Sequence, residues 1–376
     1  MFARPPERIE LAEEAEALEA RLEAVPDRPA VFLIRAREGA PYLARTALLR
    51  RRLRRLLRAE ATPTRLLNLR AVAEQVEYWL VGSRLEAALV HYELARRHFP
   101  EDYRSRLKLR PPPFLKIILT NPFPRSQVTA RLSGARALYY GPFRSRNAAE
   151  QFQSRFLDLF QMRRCEEDLA PSANHPGCIY GEMNLCLRPC QQAVSREEYL
   201  GEVERVLSFL RTQGRSLLEV LEAARERLSQ ELNFEEAARL HRRIEKVEQV
   251  LRLRDELAED LERLCGVAVT PSAEAGAVEL WFFIRGCWQA PRRLDCRPEA
   301  AAGLSLDRRL RELAAGLEPD RAPMRVREEH LAVLARWYYS SRRDGEWLAF
   351  ETAEQIPYRR LVRAVSRVLA AGAAQA

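Results

Sequence analysis

Leu232-Asn233-Phe234-Glu235-Glu236-Ala237-Ala238-Arg239 lies within a long helical pattern and breaks it once, at Asn233. Upstream, Leu217, Leu221, Ala224 and Leu228 recur on one helical face; downstream, Phe234, Ala237, Ala238, His241, Ile244 and Leu251 do the same. Asn233 with Glu236 three residues on is a capping-box-like start for the second helix. Two amphipathic helices with one interruption fold back as a hairpin, whose apolar face is unsatisfied in isolation. Phe234 offers a large apolar anchor, and Ala237 and Ala238 let another helix approach closely. Phe234, Glu235, Ala237 and Ala238 are therefore candidate partner-binding residues, with packing inside the same protein as the competing use.

Just upstream, Cys165, Cys178, Cys186 and Cys190 are spaced C-x12-C-x7-C-x3-C in a segment rich in turn formers. Four thiolates converging from a loop suit an iron–sulfur cluster or a tetrahedral zinc ion, and spacing alone leaves both open. Buried free thiols are the plain alternative, which four of the chain's seven cysteines grouped so tightly argues against. No basic–apolar leader opens the sequence and no apolar run approaches about 20 residues, so a soluble, cytoplasmic protein with reduced thiols and no membrane partner is expected. His175 reads as a turn residue of the loop.

Toward the N-terminus the pattern is a small α/β module. Ala30–Ile34 is a strand candidate, Glu38-Gly39 a turn, and Tyr42-Leu43 the start of a partner strand. Helices are expected over about 46–58 and 84–98, and a strand over 114–119. Seven arginines fall between Arg45 and Arg58. Of these, Arg45, Arg50, Arg51, Arg54, Arg55 and Arg58 are candidate DNA-phosphate contacts; the bland alternative is a solvated helix face paired with acidic residues. The 376-residue chain carries 62 Lys+Arg against 53 Asp+Glu, a net +9 that raises the odds of a polyanionic partner without fixing it.

These motifs together resemble one family. Tyr140-Gly141-Pro142-Phe143, Arg163-Arg164-Cys165, Cys178 and Cys186-Leu187-Arg188-Pro189-Cys190 look like the central cysteine region of the UvrC family, the incision component of the bacterial excinuclease. Leu232–Arg239 resembles that family's UVR motif, the helical hairpin that docks on the helicase UvrB. The resemblance implies an iron–sulfur cluster, of the 4Fe–4S type, on the four cysteines, with zinc as the alternative. It also implies a GIY-YIG nuclease at residues 28–125, and there the sequence departs from the pattern. Phe32 stands at the first tyrosine and Ala44 at the glycine of the second triplet, while Tyr42 and Arg52 keep their positions. His91 occupies the metal-binding glutamate position, a poor seat for magnesium or manganese because hard divalent ions take oxygen ligands. Glu86 and Glu93 are rotated about 140° and about 160° from His91 on a helix, so neither substitutes on its face.

Past the hairpin, Ala277–Gly286 resembles only the opening strands of the family's RNase H-like region, and no carboxylate constellation or helix-hairpin-helix pair follows. Arg336-Trp337-Tyr338-Tyr339 with Arg342-Arg343 can stack bases or pack a small core, and Asp344-Gly345 reads as a hairpin turn. The expected architecture is multidomain α+β: a helical extension (1–27), a degenerate GIY-YIG-like domain (28–125), a Cys-rich region (126–195), the UVR-type hairpin (196–264) and a C-terminal α/β unit (265–376). The expected function is DNA binding in bacterial nucleotide excision repair, as an accessory or paralogue of the incision protein. Damaged duplex DNA and a UvrB-like helicase are the expected partners. Two other functions stay open: an active 3′-side endonuclease with a rearranged metal site, and a non-catalytic adaptor on the helicase. A carboxylate meeting Tyr42 and Arg52 favours the enzyme; a free hairpin face without convergent acids favours the adaptor.

Overall fold

Apolar alternation builds the first layer. The computed structural model describes residues 4–11, 15–57, 67–134, 136–301, 303–317 and 322–373. Strands β1 (Glu7–Glu10), β2 (Ala30–Ala36), β3 (Tyr42–Thr46) and β4 (Ala73–Leu80) form an antiparallel sheet in the order β1-β4-β2-β3, which leaves β3 at an edge. Period two along β2 separates its faces. Ala30, Phe32 and Ile34 pack with α1 (Ala15–Glu23) and α2 (Leu49–Leu56), whereas Val31 and Leu33 pack with α3 (Arg84–His98). In α2 the buried residues are Leu49, Leu53 and Leu56, a helical stripe that leaves the arginines outside. The helix is shorter than the arginine run suggested, since Leu48 at its start offers no side-chain cap. α3 has the bounds its sequence signals imply: Ser83 Oγ accepts from Glu86 N at 3.0 Å, and Pro100 lies just past its end.

Regular structure leads into the cysteine segment. After the short α4 (Tyr103–Arg106), strands β5 (Phe114–Ile118), β6 (Arg125–Thr129) and β7 (Ala137–Gly141) form a second antiparallel sheet. α5 (Arg146–Leu157), capped by Ser145, covers it with Ala149, Phe152 and Phe156. Past the short α6 (Ile179–Glu182) come α7 (Arg196–Arg211), α8 (Arg215–Gln230) and α9 (Phe234–Arg252). Helix was expected to continue to about 264, but it ends at Arg252 and β8 (Glu259–Asp260) adds an edge to β7. Residues 1–27 likewise hold β1 as well as a helix, because β4 offers a free edge.

A third antiparallel sheet comprises β9 (Cys265–Pro271), β10 (Ala277–Ile284), β11 (Cys287–Trp288), β12 (Arg292–Asp295) and β13 (Glu346–Phe350). One face packs on α10 (Leu306–Ala314) and α12 (Tyr358–Ala373), the other on α11 (Met324–Tyr338). Asp344-Gly345 does not close a hairpin: it joins α11 to β13, whose partner is the distant β9. Gly345 is required there, with φ +88 and a Cβ position only 2.2 Å from Val269 O. Among the described residues no helix is long and apolar enough to cross a membrane.

α11 joins the layers. Leu331, Leu334 and Trp337 share a core with Leu85 and Leu89 of α3, Phe114 of β5 and Trp281 of β10. Glu329, 1% exposed, accepts from Tyr92 Oη at 2.7 Å and Tyr103 Oη at 2.6 Å, with Arg104 and Arg325 at 3.4 Å. Removing that carboxylate strands two buried hydroxyls and opens a void. Glu329→Ala is expected to lower the free energy of unfolding by about 3 kcal/mol in denaturant titration, and Glu329→Gln by less, since the amide keeps an acceptor.

Candidate nucleic-acid interface and cysteine centre

Phe32 of β2 and Tyr42 of β3 lie diagonally on one sheet face, their rings 6.0 Å apart. Phe32 is fully buried and brings no hydroxyl. Arg52, on the following helix, donates from Nη2 to Tyr42 Oη at 3.0 Å. These two residues of the expected site are thus brought together, and among the described contacts no carboxylate joins them.

His91 stands elsewhere. Alternation along β3 sends Leu43 to the α3 side and Tyr42 and Ala44 to the α2 side. His91 lines a cavity of about 440 Å³ that also takes in Arg45, Tyr92, Arg106, Lys108, Arg110 and Arg336. Desolvation, reinforced by the charge of Arg45, pushes its pKa down to about 4, so the imidazole is neutral near pH 7. Glu86 points away: its carboxylate accepts from Gly82 N at 2.7 Å, and burial raises its pKa to about 7. Among the described residues, no carboxylate lines the cavity beside His91.

The arginine run divides. Arg50 pairs with Glu23 at 2.9 Å, and Arg54 pairs with Glu19 and Glu23 of α1. Arg51 and Arg55 are exposed beside them along an open concavity of about 950 Å³, and no ion pair reaches either among the described residues. Arg45 belongs to the His91 cavity, and Arg58 lies outside the described residues. The aromatics at the end of α11 pack rather than stack. Trp337 is buried with Nε1 donating to Asp344, Tyr338 Oη donates to Glu256 at 2.7 Å, and Tyr339 Oη donates to Pro142 O at 2.8 Å. Arg106, Lys108 and Arg110 went unremarked in the sequence. Their signal was a cation at every second position from Arg104 to Arg110.

Cys165, Cys178, Cys186 and Cys190 share one neighbourhood. Burial pushes the Cys186 thiol up to about 11, and the charges of Cys165, Cys178 and Cys190 all add to that shift. As the side chains stand, no three metal-ligating groups among the described residues are at coordinating separation. The surroundings fit thiolates. Arg163, fully buried, donates from Nη1 to Cys165 Sγ at 3.3 Å, and its Nη2 has no partner. Arg188 N donates to Cys186 Sγ at 3.4 Å.

The hairpin α8–α9 is anchored at its base and bare at its tip. Leu217, Leu221, Ile244, Val247 and Val250 join the α5–α7 core. Val220, Leu232 and Phe234 are 65%, 72% and 63% exposed, Glu235 and Ala238 are exposed, and Ala237 is half-buried. Asn233 caps α9 by accepting from Glu236 N at 3.4 Å.

Residues 113–209 match the family model of the UvrC/Cho excinuclease middle domain, and residues 215–250 that of the UvrB/uvrC motif. The chain carries a UvrC-type middle domain and a UVR motif. It is 30% identical over 270 residues to UvrABC system protein C of Moorella thermoacetica, covering 72% of this chain and 44% of that protein. It is also 30% identical over 231 residues to UvrABC system protein C of Methanothermobacter thermautotrophicus, covering 61% and 38%. The chain thus spans less than half the length of these UvrC relatives. No solved structure matches it. The four cysteines lie inside the UvrC-type middle domain, and Phe234, Glu235, Ala237 and Ala238 inside the UVR motif.

The His91 environment sets a pH dependence. A base whose folded pKa is depressed contributes stability that is present above its unfolded value, 6.5, and lost as pH falls through about 4. Stability should therefore fall between those values, with a shallower fall in His91→Gln. The imidazole resonances of His91 should titrate near pH 4 in the native protein and higher in Arg45→Gln; titration near 6.5 in both would contradict the desolvated, Arg45-facing position.

Proposed function

We propose that this chain is a UvrC-like DNA-binding protein of nucleotide excision repair, an accessory or paralogue of the incision protein with an impaired GIY-YIG site. The observation that carries the reading is the field around His91. Where the family seats a divalent ion on a glutamate, this chain has a neutral imidazole among arginines. Magnesium or manganese would meet like charge and no carboxylate there. The likeness to a GIY-YIG domain is supported by the order of parts: β2 between β3 and β4, then one helix bearing Arg52 and another bearing His91. Tyr42 and Arg52 remain able to contact a phosphate through their hydroxyl and guanidinium. An active endonuclease would need a carboxylate at that pair, and none is among their described contacts.

In the cysteine loop, Cys165, Cys178, Cys186 and Cys190 would hold a 4Fe–4S cluster, with zinc the alternative. When bound, the group supplies thiolate cross-links that tie the loop together. Arg163 offsets the net negative charge of four thiolates from a buried position, and the Arg163 and Arg188 donors to sulfur favour the ionised form. The exposed Val220, Leu232 and Phe234 favour the adaptor aspect: an apolar hairpin tip that docks on a UvrB-like helicase.

Three measurements test the reading. Anaerobically purified protein with magnesium or manganese should leave nicked or bubble-containing damaged duplex intact while binding it. Cutting that vanishes in Tyr42→Phe and Arg52→Ala would overturn the impaired-site reading. Iron and labile sulfide should co-purify and be lost in Cys186→Ser, whereas stoichiometric zinc would identify the alternative. Phe234→Ala should weaken capture of a UvrB-like helicase at least about tenfold; unchanged capture would exclude the hairpin tip as the contact.

A further inference from the structure

Two adjoining cavities run between α3, the segment after α4, and α11. The first, about 440 Å³, includes Arg45, Lys108, Arg110 and Arg336; the second, about 270 Å³, shares Arg45 and Arg336 and adds Arg84 and Arg342. Among the described residues, no aspartate or glutamate lines either one. None of these six cations takes part in an ion pair among the described residues, whereas their neighbours do. Arg104 reaches Glu328 and Glu329, Arg106 pairs with Asp102 at 2.7 Å, and Arg325 reaches Glu329 at 3.4 Å. The carboxylates nearby on α11 are thus engaged elsewhere; Asp344, beside the second cavity, accepts from Arg84 N and Trp337 Nε1, and the six cations outnumber it.

The arrangement is held by the fold. Arg336 donates from Nη1 to Leu107 O at 3.1 Å and from Nη2 to Lys108 O, which pins its guanidinium across the segment that carries Lys108 and Arg110. Arg336 and Arg45 are close enough for each to feel like charge. Desolvation and then Arg336 lower the Arg45 pKa, and desolvation and then Arg110 lower that of Arg336. Cations gathered in a concave surface without counter-charges repel one another, and an anion relieves that repulsion while gaining charge-assisted hydrogen bonds. Ala88 and Val333 line both cavities and leave an apolar wall between the cations, suited to a sugar.

We infer that this groove is a metal-free seat for consecutive phosphodiesters of a nucleic-acid strand, with Arg336 of α11 and Arg342 in the turn beyond it completing a wall begun by Arg45 and Arg84. The inference rests on the DNA-binding reading and extends it to a segment outside both matched family regions. Two linked cavities sharing a cationic divide fit adjacent phosphates of one strand, where a free phosphate fills one. His91 is part of the same design. A glutamate in its place would face the incoming phosphate with like charge unless a metal ion intervened.

The test measures binding of a fluorescent DNA oligonucleotide by the full chain across a salt series, without divalent metal. Arg336→Gln and the fully surface Arg342→Gln should each weaken binding about three- to tenfold and reduce the salt slope by about one. Arg360→Gln, an exposed charge loss on α12, should leave the affinity within about twofold once net charge is allowed for. His91→Glu should weaken binding by more than Arg342→Gln. Melting curves check that the variants are folded, and Arg342→Gln, whose side chain makes no described tertiary bond, decides the matter if Arg336→Gln unfolds. Binding by the wild type that no groove variant alters overturns this inference and leaves the DNA-binding reading standing. No binding by the wild type overturns both. Pyrophosphate competing as well as an oligonucleotide would overturn the strand assignment in favour of a small-anion site.

Discussion

Glu329 carries the junction on which the rest of the architecture depends. A carboxylate this buried is stable only when its oxygens are satisfied, and Tyr92 Oη and Tyr103 Oη, from two different parts of the N-terminal module, do so. The next residue, His330, accepts from Trp288 N through Nδ1 at 3.0 Å, and burial holds its pKa near 3, so it is neutral. One turn of α11 thereby hydrogen-bonds to the first module on one side and to the third sheet on the other. Leu331, Leu334 and Trp337 fill the space between with apolar contact. Gly82 reinforces the same junction from the edge, its Cβ position lying 2.1 Å from Ser272 C, so that only glycine admits this approach.

That junction has a chemical consequence. By pressing α11 onto α3, the fold brings Arg336 to Leu107 O and Lys108 O and into the field of Arg45. The surface around His91 is then dominated by guanidinium groups, the feature on which the proposed phosphate seat rests. Tyr42 and Arg52 hold each other on the other side of the edge strand β3, while the α1 glutamates engage Arg50 and Arg54.

The hairpin and the cysteine loop are fixed to one core. α5, α7 and the base of α8–α9 share a cluster rich in phenylalanine, with Phe156 and Phe209 rings 5.6 Å apart. The tip of the hairpin is thereby held out with Phe234 uncovered, while Arg163, bound to Phe123 O at 2.9 Å, ties the cysteine loop to the segment between β5 and β6.

Sequence by itself determined the local elements with strong periodicity or caps. The Ser83-capped α3, the Asn233 break between α8 and α9, and the alternation of β2 were all legible because each is set by neighbours in the chain. It also brought out the grouped cysteines and the Tyr42 and Arg52 pair. What only the tertiary structure decided was pairing over long separations: β8 onto β7, β13 onto β9, and α11 against α3. Periodicity reports which face of an element is apolar but not which distant face it meets. For that reason Arg336 read as one of a run beside aromatics, and its place opposite Lys108 and Arg45 emerged only when burial of Glu329 fixed the position of its helix.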